Sequence, residues 1–454
     1  MIQKTPRSPW RILHLAPHYG GGVGTVVRAL IAESQKQTGF QHTLACLEYC
    51  NDRMKEWAAG ENVRTVGDLW GQNQLVRELL ADADIVHFHW WQHPLLNALM
   101  HQRDLPPFRC VLWSHVNGHY PPQNFPSGLV DYPDVFVLAT PWSLEAPALI
   151  EPLANGRADI RIIQSSAGIP IIPESVPRAD DSFRIGYVGT VDAAKIHTNF
   201  IQLCLAAELP DARFIVAGGP SHDVLRRQVA AVSAADRFDI LGPVDDVPQL
   251  MATLDVFGYP LNAQHYGTGE QVLLEAMAAG AVPVVLDTGC ERHIIQDGRT
   301  GLVCANEQEY VAALRRLYAD RQWLETLSRE ARISVSQRFS IQSTVIAWHE
   351  LYRHASKLPR RPHFFCDVSG PTGFSPALNL LLSAWWGTDA GKALHGLITD
   401  GPWAWADQIR QLPVACFSNT RGSPFHYQYC FPDDAQLAGL CHTMSKVLHS
   451  ITPI

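Results

Sequence analysis

Short apolar runs alternate with amphipathic helical stretches through about residue 340. In the first half the runs are Arg11–Ala16, Asp84–Phe88, Cys110–Ser114, Val135–Ala139 and Ile160–Gln164. In the second they are Phe183–Val188, Arg213–Ala217, Asp239–Leu241, Val256–Tyr259 and Val282–Leu286. They are rich in Ile, Val and Phe and lack the polar alternation of a strand with one wet face. They therefore predict strands buried on both sides. Strands alternating with helices predict an α/β chain with parallel sheets. The series restarts after IPIIPESVPRADDSF, residues 169–183, whose prolines and acidic turn predict a linker. Two Rossmann-like domains are expected, 1–172 and 180–340, then a connecting helix over 341–358 and a break at LPRRP.

Residues 360–454 lose this pattern. They carry Trp385, Trp386, Trp403 and Trp405 and one long apolar stretch, PALNLLLSAWW. A small α-rich module packed on the second half is expected. Its tryptophans suit a small core first, and also a glycan-stacking surface or a peripheral membrane contact. Arg421, His426 and Tyr427 are candidates for a polar site in this module.

Composition narrows the classes. The chain has 454 residues, enough for two to three domains. Its net charge of −8 argues against nucleic acid as a main partner. No apolar run reaches the ~18–20 residues of a membrane span, and the N-terminus lacks a signal-peptide core, so a cytoplasmic location is expected. The 10 cysteines then read as thiols, and Cys46 and Cys50 have no second pair to complete a zinc site.

Candidate chemistry lies where strands end. The first strand runs into PHYGGGVGTVVRALIAE, a glycine turn opening a helix, with Gly20, Gly21, Gly22 and Gly24 free to let backbone approach an anion. The spacing is not G-x-G-x-x-G, and a tight turn without ligand is the alternative. His115 follows another strand, at the end where open α/β sheets bind ligands, with a structural role equally open. His87, His89 and His93 are core or cleft residues. In the second half, RIGYVGTVDAAK sets Gly189 and Thr190 after a strand and Lys195 beyond them, suited to a diphosphate or else a solvated lysine. Gly267, Thr268 and Gly269 open a helical pattern that carries Glu270 and Glu275. A carboxylate among VLLEAMA needs a hydrogen-bonding partner such as a ribose diol, unless it sits at the helix edge in water.

Taken in order, VGTVDAAK, ARFIVAGG, LGPVDDVPQLMATLDVFGYP and GTGEQVLLEAMAAGAVPVV…ERHIIQDGRTGLV resemble the retaining glycosyltransferases of family 4. The resemblance spans about residues 10–340 and implies the GT-B fold: two Rossmann-like domains facing a cleft, here with the small C-terminal module appended. It implies a UDP- or GDP-linked nucleotide-sugar donor held by the second domain and a glycan, lipid-linked or small-molecule acceptor in the first. Surface-glycan synthesis is a common setting. No cofactor or metal is implied.

By the resemblance, Glu275 matches the second glutamate of the E-x7-E motif, on the ribose, and Lys195 the lysine on the diphosphate. His115 matches the histidine near the donor sugar, and Gly21 and Gly22 the glycine loop. Gly189, Thr190, Gly267, Thr268 and Gly269 line the donor. The chain departs at two places: Gly267 stands where the family has its first glutamate, and Thr190 where it has arginine. Glu270 is the nearest acid and joins His115 and Lys195 in the catalytic set, as in a subset with HYGTG-E-x4-E. Arg292 is a candidate to replace the lost cation. A degenerate binding subunit and a nucleotide-sugar epimerase are the competing readings.

Overall fold

The structure is a computed structural model and describes residues 9–156, 159–170, 172, 181–268, 271–365, 373–401 and 404–449. These fall into two compact units, divided after Gln164 and again after Thr344; the chain on either side of the second unit forms the first.

The first unit holds seven strands: β1 (Trp10–Ala16), β2 (Phe40–Cys46), β3 (Arg64–Val66), β4 (Ile85–Trp90), β5 (Cys110–Ser114), β6 (Val135–Leu138) and β7 (Ile160–Ile162). Their order is β3-β2-β1-β4-β5-β6-β7, and every pairing is parallel. Central β4 and β5 are buried along their whole length, as two-sided helix cover requires. The second unit holds β8 (Phe183–Val188), β9 (Ala212–Ala217), β10 (Phe238–Gly242), β11 (Val256–Tyr259), β12 (Val282–Leu286) and β13 (Leu302–Cys304). Its order is β10-β9-β8-β11-β12-β13, again parallel. Both sheets are Rossmann-like. Each reverses its strand order once, between β1 and β4 and between β8 and β11, and such switch points are where open α/β sheets receive ligands.

The expected strands are present with shifts of a residue or two, and β2, β3 and β13 are added. The division between the compact units falls at Gln164–Ser165. Of the expected linker, residues 171 and 173–180 lie outside the described residues. The connecting helix is Ile341–Ala355.

The C-terminal module corrects the expected packing. Its helices Pro376–Trp385, Asp389–Thr399, Ala406–Arg410, Pro424–Cys430 and Ala435–His449 enclose a core that includes Leu381, Trp385, Leu394, Ile409, Tyr427 and Met444. This core packs on helix Pro94–Met100 of the first unit, to which the module belongs. The reason is a buried polar seam. Asn97 Nδ2 donates to Tyr427 Oη at 3.0 Å, and its Oδ1 accepts from Trp90 Nε1 at 3.1 Å. Gln92 and Asn124 both donate to the Ala384 carbonyl, at 3.3 and 3.2 Å. The LPRRP break is a tether to the same unit: Arg360 donates to the Ala81 and Ala83 carbonyls and Arg361 pairs with Asp134. Trp385 is a core residue, whereas Trp386 is 46 % exposed and, with Trp405, lines a cavity of about 450 Å³. Trp403 lies outside the described residues. No helix among the described residues is long and apolar enough to cross a membrane.

Candidate functional site

The switch point of the first unit carries the glycine turn. After β1 the chain passes Tyr19 and Gly20 into helix Gly21–Gln35, whose N-cap Gly20 supplies no side-chain cap. Gly21 has φ +58°, the left-handed region that favours glycine. A methyl on Gly24 would lie 2.2 Å from the Tyr19 carbonyl oxygen, so only glycine lets the helix start this close to the strand end. Gly20, Gly21, Thr25, Arg28, Asn51 and Arg53 line a cavity of about 370 Å³ at this helix start. Arg28 and Arg53 make no ion pair with any described residue. Burial and the neighbouring Arg53 both push the Arg28 guanidinium below its ordinary value. Two uncompensated cations beside free helix N–H groups suit an anionic ligand.

His115 follows β5 directly, its backbone N–H bonded to the Trp90 carbonyl at 2.8 Å. Its Nε2 lies 3.0 Å from His89 Nδ1. Burial brings its pKa down to about 3, so the ring is neutral at physiological pH. His87 and His89 are wholly buried in β4. His93 caps helix Pro94–Met100 and faces Glu48, Nε2 to Oε2, at 3.4 Å. Burial works to raise the Glu48 carboxyl, but the hydrogen bond and field of His93 outweigh it and hold the group below its ordinary range. His426 packs edge-on against His93 at 4.5 Å between ring centroids. Tyr427 belongs to the seam, and Arg421 has φ +62° in the turn before helix Pro424–Cys430.

His18, Glu48, His93, His426 and Cys430 have the residue types of a transition-metal site. Their hydrogen bonds set a different chemistry. Backbone N–H groups of Gly20, Leu95 and Gly422 donate to Nδ1 of His18, His93 and His426, at 3.1, 3.3 and 3.0 Å. A ring that accepts a hydrogen bond at Nδ1 has its N–H on Nε2 and offers no lone pair there for a metal.

In the second unit Gly189 and Thr190 leave β8 at its switch point. A methyl on Gly218 would lie 1.8 Å from the Gly189 carbonyl oxygen, so the two backbone turns touch. The Thr190 carbonyl accepts from Tyr187 Oη at 2.7 Å. Lys195 is placed by its carbonyl, which accepts from Asn262 N–H at 2.8 Å. Its ammonium lies 5.8 Å from the Tyr259 ring centroid and 5.7 Å from that of Tyr266, a cation–π cradle at the end of β11.

Gly267 and Thr268 follow in the same loop, while Gly269 and Glu270 lie outside the described residues. Helix Gln271–Ala279 begins beyond them. Glu275 is half-buried on this helix, and burial raises its pKa to about 6 against the hydrogen bond from Gln271. Arg292, the candidate replacement cation, pairs with Asp287 at 3.5 Å.

One group of residues was absent from the sequence reading. His265 Nδ1 accepts from the Gly267 N–H at 2.9 Å, which leaves Nε2–H to reach Thr288 Oγ1 at 2.8 Å. Thr288 in turn donates to Glu291 Oε2 at 2.9 Å. Burial works to raise the Glu291 carboxyl, but His265 and Thr288 hold it below its ordinary value. This trio, with His265 and Glu291 buried and Thr288 half-buried, pins the 265–268 loop. The HYGTG and ERHII segments contained these residues, but their partnership spans a strand and two turns and leaves no spacing signal.

Residues 169–334, which lie within the second unit, match the family model of glycosyl transferases group 1. The chain is 35 % identical over 113 residues to a phosphatidyl-myo-inositol mannosyltransferase of Mycolicibacterium smegmatis, covering 24 % of this chain and 28 % of the relative. It is 26 % identical over 199 residues to a D-inositol 3-phosphate glycosyltransferase of Mycobacterium bovis, covering 42 % and 36 %. The chain thus spans about a third of the length of the curated relatives it matches. Among solved structures, HepE of Anabaena in complex with UDP and glucose aligns at TM-score 0.59 and 16 % identity over 76 % of this chain and all (100 %) of that one. A glycosyltransferase of Rickettsia africae aligns at 0.60 and 15 % over 78 % and 100 %. The fold is the two-domain GT-B fold.

Proposed function

We propose that the chain is a retaining glycosyltransferase that moves a sugar from a UDP- or GDP-linked donor to an acceptor hydroxyl. The observation that carries this reading is the placement of Gly189, Thr190 and Lys195 at the switch point of a sheet whose strands lie in the segment that matches the group 1 glycosyl transferase family model. In this reading Glu275 accepts hydrogen bonds from the ribose hydroxyls. Lys195 and the backbone of Gly189, Thr190, Gly267, Thr268 and Gly269 meet the diphosphate charge as the glycosidic bond lengthens. Lys195, rather than a metal ion, is the principal cation, and the activated bond of the donor makes a cofactor unnecessary. Glu270 is the acid of the altered motif, and His115 is the neutral imidazole presented to the donor sugar. UDP in the HepE complex favours a uridine nucleotide among donors.

The arginine-lined cavity supports an acceptor that carries negative charge, with Gly21 and Gly22 on the same helix start. Both curated relatives are named for inositol substrates that bear phosphate, which agrees with it.

The test is product analysis with purified protein, a panel of UDP- and GDP-sugars, and phosphorylated and unphosphorylated polyol acceptors. A new glycoside with the anomeric configuration of its donor is expected, and Lys195→Ala is expected to lower kcat about 10²-fold or more. Inverted configuration would remove the retaining assignment. An epimerised donor with no glycoside would remove the transferase.

A further inference from the structure

We propose that five histidines and one serine of the first unit form a proton relay between His115 and His349. The links run without a break. His115 Nε2 lies 3.0 Å from His89 Nδ1, and His89 Nε2 lies 3.0 Å from His14 Nδ1. His14 Nε2 lies 2.9 Å from His42 Nδ1. Ser34 Oγ lies 2.8 Å from His42 Nε2 and 2.7 Å from His349 Nε2. The residues come from β1, β2, β4, the start of the loop after β5 and two helices, so this is an assembly of the fold and not of one segment. His14, His42, His89 and Ser34 are almost wholly buried.

The groups around the path set its charge state. His87 stacks on His89 at 4.3 Å and is bonded to Tyr352 Oη at 2.8 Å, off the path. Trp113 packs on His115 and His89, Tyr19 meets His89 edge-on, and Phe40 covers His349. Among the described residues, the charged group acting on these rings is Arg353, which disfavours a cation at His349. No described carboxylate bonds to any of the five rings, and burial favours the neutral form of each.

A neutral imidazole has one N–H and one lone pair. Every link therefore needs its donor and acceptor in the same sense along the path. Two arrangements satisfy all links when the Ser34 hydroxyl donates to one ring and accepts from the other. In one, His115, His89, His14 and His42 all carry the proton on Nε2, Ser34 donates to His349, and His115 Nδ1 is a free base. In the other, all four carry it on Nδ1, and His115 Nδ1–H is a donor. The first becomes the second when a proton arrives at His115 Nδ1. The Nε2 proton of His115 passes to His89 Nδ1, and each successor moves one link. The Ser34 oxygen takes the His42 proton and gives its own to His349 Nε2, whose Nδ1 proton passes to water. One proton enters, one leaves, and no ring stays charged. His115 thereby accepts or supplies a proton without holding a buried cation. Its use in catalysis rests on the transfer reaction proposed above; the proton is the one lost by the acceptor hydroxyl. The same bonds leave His14 and His89 no spare lone pair, so the neighbouring trio His14, His87 and His89 is not a metal cage.

The relay is tested on the full chain in two independent ways. Nitrogen NMR of protein labelled in its imidazoles reads the tautomers. His14, His42, His89 and His115 are expected to share one tautomer, and Ser34→Ala is expected to move the His115 resonances. Mixed tautomers in the wild type, His115 resonances that ignore Ser34→Ala, or stoichiometric Zn²⁺ uptake on the histidines would each overturn the relay. These readings need no activity, so they stand even if no sugar is transferred. With transfer established, Ser34→Ala is expected to lower kcat about tenfold or more, leave the donor KM unchanged and reduce the solvent isotope effect. A folded Ser34→Ala protein with wild-type kcat and isotope effect would overturn the relay and leave the transferase assignment intact.

Discussion

A methyl group is the smallest probe of the turns that build the site. Gly218→Ala would set a carbon 1.8 Å from the Gly189 carbonyl oxygen, at a φ of +128°. It is expected to cost ~3 kcal/mol of stability, measured by denaturant titration. Glu275 gives a sharper test. Burial raises its pKa from 4.5 to about 6, so the folded chain holds the proton more tightly than the unfolded chain. That lowers stability as pH rises through this window. Glu275→Gln is accordingly expected to raise the melting temperature slightly at pH 8 while weakening donor binding. Donor affinity of the wild type is expected to rise as pH rises through about 6, when the carboxylate forms, and that of Glu275→Gln to stay flat; calorimetric titration from pH 5 to 8 checks both. The half-buried helical position of Glu275 was legible because a carboxylate among VLLEAMA is conspicuous. Arg28 and Arg53 were not, because isolated arginines on amphipathic helices read as solvated surface until the fold puts them in one cavity.

Elements were legible according to how much of their surface is buried. The central strands β1, β4, β5, β8, β11 and β12 announce themselves as apolar runs. The segments of β2, FQHTLAC, and β3, RTV, mix polar residues into the pattern and gave no signal. The module's partner was illegible for a related reason. Its seam is made of Gln92, Asn97 and Asn124, polar residues that look like loop residues until their partners are in place. Asn97→Ala would strip Trp90 Nε1 and Tyr427 Oη of buried partners. It is expected to destabilise the first unit by ~2–3 kcal/mol, seen as an earlier calorimetric transition. Arg28→Ala and Arg53→Ala are expected to raise the KM for a phosphorylated acceptor about tenfold and leave the donor KM unchanged. Equal effects on both substrates would remove the acceptor assignment of that cavity.

The whole molecule carries an acid liability in its first unit. Burial holds His42 and His115 near 3 and His349 near 4, and pulls His14, His87 and His89 well below 6.5. Below 6.5 the unfolded chain takes up protons that the folded chain refuses. The stability these neutral rings preserve is therefore complete above 6.5 and lost as pH falls toward 3. Calorimetry between pH 7.5 and 5 is expected to show a steep fall in the transition of the first unit, and a transition independent of pH would contradict the burial of these rings as neutral species. At this scale the α/β class and the two Rossmann-like units were legible from strand periodicity alone. The side of the molecule that the C-terminal helices cover was not, since it depends on contacts far apart in sequence. The account as a whole rests on a nucleotide-sugar site in the second unit. The most direct measurement is the thermal shift of wild type and Glu275→Ala with UDP-, GDP- and ADP-sugars. Stabilisation of the wild type by a UDP- or GDP-sugar, lost in Glu275→Ala, is the expected result. Stabilisation by none of them would contradict it.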